Sequence, residues 1–595
     1  MSLESVELTD LERDDRIDEV VNNFIRTLPE ESGFAKLKKE QQEAVEAILD
    51  TLRNMRFEGI DGFQKVVTAL LQGIAPELER YVPIAIDNAK ATLQEKKGVL
   101  VIYTGGTIGS APKDMDDPDS PQVVKPWRDL KLAAPKLGLL GYPVDAIAFV
   151  NPLDSCNVGP PHWHAMVNII EKHYDDYTGF VILHGTDSMS YTASALSFMM
   201  LYLSKPVVIT GSQIAGITNP RNDAHQNMIT AIMLANPMVH NLPLISEVIV
   251  AFGNLFIRGN RTKKMNVVEY QGFNSPNYPL IGKAGDHIVI ERKNIRSVDN
   301  SSVQFHKKMD TNVIIVEVFP GMQNSQVLAN ILKDGNLRGV VLKAYGAGNI
   351  PTDALFLDLF SAFIERGGVV VCTTSCPAGE VVMGLYETSQ VLLDRGIIGG
   401  FDITPEAALC KLMVLLGEDD YDLRTVKQLM QQSIAGEQRL SLESTFLAGE
   451  KKLEADGKAV AVEGELASVP EESRIEKVML RFMHAQLQTG QNEDPDYRAT
   501  IRISLESAMN EQSDQYLGTF SRRRVPENAL VGTNESVGES LTVDLTRNKH
   551  LFLIKESAGR IKAKQKVKIH VALAGDSGAA FAWKGAELNI YTHDQ

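Results

Sequence analysis

Cysteine is scarce in this sequence, with four in 595 residues, at positions 156, 372, 376 and 410. So few thiols exclude a disulfide framework in a chain of this length. No His-rich segment accompanies Cys372 and Cys376, so the spacing offers no zinc site and the reading predicts plain thiols without a metal. Long apolar runs are missing as well. The most hydrophobic segments, such as 193–203, fall far short of the ~20 residues that cross a bilayer, and no membrane span is expected. The opening MSLESVELTDLERDDRIDEV lacks the basic patch and apolar run of a signal peptide, so a cytoplasmic location is expected. Basic charge is in deficit: 60 Lys and Arg stand against 76 Asp and Glu. Half of the formal charge of -16 comes from residues 1–50, where 14 acidic side chains face 6 basic ones. A phosphate-binding surface needs the opposite sign, which argues against nucleic acid as a partner.

What is present is ordinary globular composition, 44% hydrophobic and 23% charged, in a chain long enough for two or three folded units. Residues 1–97 read as a helical extension. Val45, Ile48, Leu49 and Leu52 keep a helical spacing, and Phe63, Val67, Leu70 and Leu71 repeat it after the break at Gly59–Gly62. From Gly98 the pattern changes to short Val/Ile/Leu runs at 99–103, 146–150, 180–183, 207–210, 248–252, 313–318, 340–343 and 369–372. Each run ends in small polar residues and is followed by an amphipathic stretch. That alternation predicts an α/β fold with a mostly parallel sheet covered on both faces. Helices are expected at 406–416 and 423–432, a charged linker or peripheral helix over 449–475, and a helix near 474–488. The alternating runs at 499–504, 541–545, 551–554, 567–572 and 588–591 predict a small β-rich domain. The expected division is therefore 1–97 extension, 98–300 and 301–445 two lobes of one core, 446–490 linker and helix, and 491–595 β-rich domain.

Ligands of such sheets bind beyond the carboxyl ends of the strands, which directs attention to the polar residues there. The run 99–103 leads into Thr104-Gly105-Gly106-Thr107-Ile108-Gly109. Adjacent glycines let backbone N–H groups approach a ligand, and Thr107 adds a hydroxyl. The segment reads as a ligand cradle or as a bare tight turn; it lacks the Gly-Lys-Ser/Thr ending of a phosphate loop and the third glycine of a dinucleotide site. The run 180–183 leads into His184-Gly185-Thr186-Asp187-Ser188, where Thr186 and Asp187 read equally as helix caps or as a working hydroxyl and carboxylate. The run 248–252 leads on to Arg258-Gly259-Asn260-Arg261-Thr262-Lys263-Lys264. A threonine hydroxyl is a weak nucleophile that needs a base and an oxyanion site beside it, so two strand-end threonines draw attention, while Lys263 and Lys264 read on their own as solvated surface residues.

Taken together, the segments YTGGTIG at 103–109, GFVILHGTDSMSYTASALSFM at 179–199, KPVVITGSQ at 205–213, RGNRTKK at 258–264 and YGAGN at 345–349 resemble the bacterial-type L-asparaginase family, most closely its cytoplasmic type I branch. The likeness spans roughly 98–440 and implies a hydrolase converting L-asparagine and water to L-aspartate and ammonia, without metal or organic cofactor. It implies that Thr107 is the nucleophile that forms the acyl-enzyme, and that Thr186, Asp187 and Lys264 relay protons and place the hydrolytic water. Chemically, a buried ammonium held by a carboxylate can lose charge by desolvation and act as a base. By the same likeness Asp187 also holds the substrate α-ammonium and Ser155 its α-carboxylate, with Gly106 and Gly185 lining the substrate. Asn349 matches a residue that reaches across a dimer interface toward the substrate amine, so a homodimer or homotetramer is expected.

The chain also departs from the family pattern. The stretch 110–127, SAPKDMDDPDSPQVVKPW, lacks the family's loop tyrosine, Cys156 and Asn157 replace small polar or acidic residues, and Lys263 stands in the usual threonine place. Competing readings are a glutaminase/asparaginase, an amidotransferase subunit that supplies ammonia to a partner, and an asparagine-binding regulator without turnover. The sequence has no mark that separates asparagine from glutamine, which differ by one methylene.

Overall fold

The computed structural model describes residues 84–87, residues 97–448 with short gaps, and mainly the strands between there and His593. The helices expected over 1–97 lie outside the described residues, except that Ile84–Asp87 is a strand, β1. Two compact units are formed, one ending at Thr311 and one starting at Asn312. No helix among the described residues is long and apolar enough to cross a membrane.

The first unit is built on one large sheet. Its described strands are β1, β2 (Val99–Gly105), β3 (Val144–Leu153), β4 (Gly179–Leu183), β5 (Val207–Thr210), β6 (Val248–Phe252), β7 (Leu255–Arg258), β8 (Gly282–Ala284) and β9 (Ile288–Ile290), in the spatial order β1-β3-β2-β4-β5-β6-β7-β8-β9. The centre, β3-β2-β4-β5-β6, is parallel, whereas β1 and the β6–β9 edge pair antiparallel, so the sheet is mixed. Every residue of β2, β4, β5 and β6 is buried, which explains their near-continuous Val/Ile/Leu composition. Helices α1 (Pro160–Lys172), α2 (Met189–Met199) and α3 (Ala224–Ala235) follow β3, β4 and β5 in turn. From β2 the chain moves to β3 on one side and then crosses back to β4 on the other. The carboxyl ends of β2 and β4 therefore flank a topological switch point, where an open α/β sheet forms its binding crevice.

The second unit begins with the parallel sheet β10 (Val313–Glu317), β11 (Gly339–Ala344), β12 (Val369–Thr374) and β13 (Ile398–Gly399). Helices α4 (Ala354–Glu365), α5 (Pro405–Gly417) and α6 (Leu423–Met430) accompany it, the last two where the sequence placed them. Inside α5, Lys411 forms a fully buried ion pair with Glu437 at 2.5 Å. Burial alone would raise the Glu437 carboxyl, but Lys411 and the N–H of Ala435 overcome it and hold it below its usual value.

After Leu440 the described chain is antiparallel β-structure, as the alternating runs of the last hundred residues foretold. It starts earlier than expected, however. Residues Lys451–Glu454, Val460–Glu465, Arg474–Met483 and Gln486–Thr489 are strands and replace the linker and helix read over 446–490. Leu440–Ala448 and Arg474–Met483 flank Gly585–His593 in one sheet. Val478, Leu480 and Phe482 are buried on one face of that sheet, an alternation that only a strand provides.

Candidate active site

The turn after β2 is shaped by glycine. Gly105 and Gly106 have φ of 121° and 85°, a region that disfavours any side chain. A Cβ on Gly106 would lie 2.3 Å from the backbone nitrogen of Gly185. The Thr-Gly-Gly-Thr turn and the His-Gly-Thr-Asp turn thus touch backbone to backbone at the switch point. Gly106 N–H donates to Leu153 O at 2.8 Å, which ties the turn to β3, and Thr107 opens a single 3-10 turn, half-buried. The stretch after Thr107 folds into the hairpin Ser110–Pro112 with Gln122–Val124, pinned by Lys125 N–H to Gly109 O and by the hydroxyl of buried Tyr103 to Lys125 O at 2.6 Å.

Beyond β4, Thr186 is buried and Asp187 is not. Lys264 Nζ donates to Thr186 Oγ1 at 2.9 Å and to Asp187 Oδ1 at 2.7 Å. The hydroxyl, carboxylate and lysine singled out from two distant segments are therefore one cluster. Lys263 lies beside them in sequence without joining it. The ammonium is less enclosed than the reading supposed: the Lys264 side chain is 20% and the Asp187 carboxylate 59% exposed. Lys264 is presented by a two-residue strand, Lys263–Lys264, that pairs with Phe273–Asn274. The preceding turn is anchored by the buried pair Arg258–Glu247 at 2.5 Å. Although burial opposes the charge on Arg258, Glu247 outweighs it and keeps the guanidinium protonated.

Ser155 joins the cluster from the β3 side. Its buried hydroxyl accepts the Asp187 N–H at 3.0 Å, and Ser188 Oγ donates to Ser155 O at 2.6 Å. A Cβ on Gly185 would meet Ser155 Oγ at 2.6 Å, so Gly185 is required for that approach. Asn349 belongs to the second unit. It follows β11 in the turn Tyr345–Asn349, closed by reciprocal backbone hydrogen bonds of 2.9 Å between those two residues, with Gly346 and Gly348 at positive φ.

Two supports were not singled out from the sequence. Fully buried His184 bonds Gly185 O through Nδ1 at 2.6 Å and Thr192 Oγ1 through Nε2 at 3.0 Å, and Trp163 Nε1 donates to the same Thr192 oxygen at 2.9 Å. A carbonyl only accepts and an indole only donates, so Nδ1 carries the proton and Nε2 accepts from the threonine. Burial lowers the His184 pKa to about 4, which keeps the ring neutral and this direction fixed. A second support is Gln213, whose Nε2 donates to Asn266 O at 3.2 Å and Glu269 O at 2.8 Å and so holds the loop after Lys264.

Comparison with known proteins fits this arrangement. Residues 98–296 match the family described as Asparaginase, N-terminal, and residues 312–430 the Glutaminase/Asparaginase C-terminal domain. The chain is 39% identical over 347 residues to L-asparaginase 1 of Escherichia coli K12, covering 58% of this chain and 98% of that protein. Its fold is similar to L-asparaginase I of Vibrio cholerae, with a TM-score of 0.51 at 34% identity over 58% of this chain and 99% of that one. The thermostable L-asparaginase of Thermococcus kodakarensis gives a TM-score of 0.52 at 33% identity over 57% and 99%. The chain is a member of the bacterial-type L-asparaginase family, close to its type I branch, and carries flanking regions on both sides of residues 98–430.

Proposed function

We propose that this enzyme hydrolyses the side-chain amide of L-asparagine to L-aspartate and ammonia in the cytoplasm, with Thr107 as nucleophile. The observation that carries the reading is the Lys264–Thr186–Asp187 cluster beside the glycine turn of Thr107 at the switch point. The substrate α-carboxylate goes to Ser155 and its α-ammonium to Asp187, of which Oδ1 serves Lys264 and Oδ2 remains for the ligand. That docking places the Thr186 hydroxyl and Lys264, joined by a hydrogen bond of 2.9 Å, where they can pass protons during the reaction.

In the first half-reaction Thr107 Oγ1 attacks the amide carbon, its proton moves to the leaving nitrogen, the C–N bond breaks and ammonia departs. In the second, water attacks the ester, its proton passes through the Thr186–Lys264 pair to the departing Thr107 Oγ1, and the C–O bond breaks to give aspartate and the free threonine hydroxyl. Residues 98–300 and 301–445 are read as the two catalytic lobes, and Asn349 as a residue completing the pocket of a neighbouring chain in a homodimer or homotetramer. Exposed Val327 and Ile331, one turn apart on the helix Gln326–Leu332, and exposed Phe319 and Leu355 support an interface on the second unit. Light scattering that shows an active monomer would remove that part of the reading.

Ammonia release measured side by side with L-asparagine, L-glutamine and aspartyl dipeptides tests the function. Asparagine is expected to give the highest kcat/KM; silence toward all three would leave a binding protein instead of an enzyme.

A further inference from the structure

The second unit holds an open cavity of about 870 Å³ that the proposed chemistry does not use. One wall belongs to the parallel-sheet part, with Val381, Met383, Ile397 and Phe401, and to helix α6, with Lys427 and Gln431. The facing wall belongs to the antiparallel sheet, with Leu442, Lys477 and Tyr591. Phe401 meets Tyr591 edge to face at 6.1 Å, so the two walls share an aromatic floor. The volume is that of a small-molecule site, and apolar side chains share its surface with charged ones.

Those charges are unevenly matched. Arg439 is paired with Asp402 at 3.0 Å and Glu380 at 3.2 Å, and Arg481 with Asp394 at 3.0 Å and Glu587 at 3.8 Å. Asp544 accepts the Thr546 N–H at 2.8 Å, and Arg424 stands beside Asp422. Glu476 also lines the cavity, yet neither Lys427 nor Lys477 forms an ion pair among the described residues; Lys477 lies 5.8 Å from the centre of the Tyr591 ring. Both are half-buried, and burial lowers the Lys427 pKa with no neighbouring charge to offset it. A partly desolvated ammonium without a counter-charge is costly, and a bound anion supplies what is missing.

We propose that this cavity binds a small organic anion, a carboxylate with an apolar body, whose charge is taken by Lys427 with Lys477 as the second cation. Its hydrocarbon part lies along Met383, Phe401, Leu442 and Tyr591. Because the ligand touches both walls, it fastens the antiparallel strands to the parallel-sheet part, and the carboxyl-terminal region gains a ligand-binding role.

The test is titration calorimetry of the full chain with sodium octanoate, beside octylammonium, 1-octanol and acetate. Octanoate is expected to bind saturably at one site per chain and to raise the melting temperature by mass action. It should bind at least about tenfold more tightly than the other three, because only it supplies both charge and apolar body. Lys427→Gln should weaken octanoate binding about tenfold or more and Lys427→Arg should restore it. Amide hydrolysis stays at the wild-type level in both variants, which shows that they fold. The proposal is overturned if octanoate does not saturate, if octylammonium binds as tightly, or if the folded Lys427→Gln chain binds octanoate as well as wild type does.

Discussion

Substituting Thr192→Val, a nearly isosteric change in a residue that touches no substrate, isolates the buried relay behind the active-site turn. The hydroxyl accepts from Trp163 Nε1 and donates to His184 Nε2. Its removal leaves one buried donor and one buried acceptor unmatched, at about 1–3 kcal/mol each, so the variant should lose ~2–6 kcal/mol of stability. Thr192→Ser keeps the hydroxyl and should lose only the value of one methyl, ~1 kcal/mol. Because His184 Nδ1–H holds Gly185 O next to Thr186, the valine variant should also lose on the order of tenfold to a hundredfold in kcat, with the serine variant near wild type. Urea unfolding and ammonia release measure the two effects. The pH dependence gives a second reading. The unfolded ring takes up a proton near pH 6.5 and the folded one only near 4, so stability is fully present above 6.5 and declines as pH falls toward 4. The span of 2.5 units corresponds to about 3 kcal/mol. Wild type should lose that much more than His184→Asn over the interval. A Thr192→Val chain within about 0.5 kcal/mol of wild type, or parallel pH curves for the histidine pair, would refute the relay.

Three further outcomes follow from other parts of the molecule. Gly106→Ala forces a Cβ into the backbone of Gly185 from a φ of 85° and should reduce kcat/KM by about a hundredfold or more, measured by ammonia release. Lys264→Met should remove nearly all turnover whereas Lys263→Met stays near wild type, because only Lys264 reaches Thr186 and Asp187; steady-state kinetics decide it. Lys411→Met strands a buried carboxylate and should cost about 3–5 kcal/mol in urea unfolding. Adding Glu437→Gln removes the stranded charge but keeps an acceptor for only one of the N–H groups of Ile434 and Ala435, and should recover part of it.

The catalytic face was legible because parallel strands, buried on both sides, are written as uninterrupted Val/Ile/Leu runs whose ends point at the site. The preference for Lys264 over Lys263 came only through the family likeness, since two adjacent lysines look alike in sequence, and in the fold it is Lys264 that reaches Thr186 and Asp187. Trp163, Thr192 and His184 escaped notice because their link is made across the fold, from α1 and α2 to the end of β4. The segment Arg474–Met483 misled for a specific reason. Ile475, Val478, Met479, Phe482 and Met483 have the spacing of a helix face, yet the chain pairs as a strand whose register shifts between Ile475 and Lys477. That irregularity changes the parity of the alternation, so Ile475 and Val478 are both buried and the period of two is disguised. Charge hid Lys451–Glu454 and Val460–Glu465 in the same way: their ladder partners, Ala579–Trp583 and Lys566–Ala574, lie more than a hundred residues on.

The central claim, a threonine acyl-enzyme at Thr107, is tested most directly by Thr107→Val assayed for ammonia release from L-asparagine, with calorimetry of L-aspartate binding as a control for the pocket. The expected result is aspartate binding close to that of wild type and a rate reduced by about a thousandfold or more, since covalent catalysis and its proton transfers are lost together. Retention of more than about a tenth of the wild-type rate would contradict the assignment of Thr107 as nucleophile.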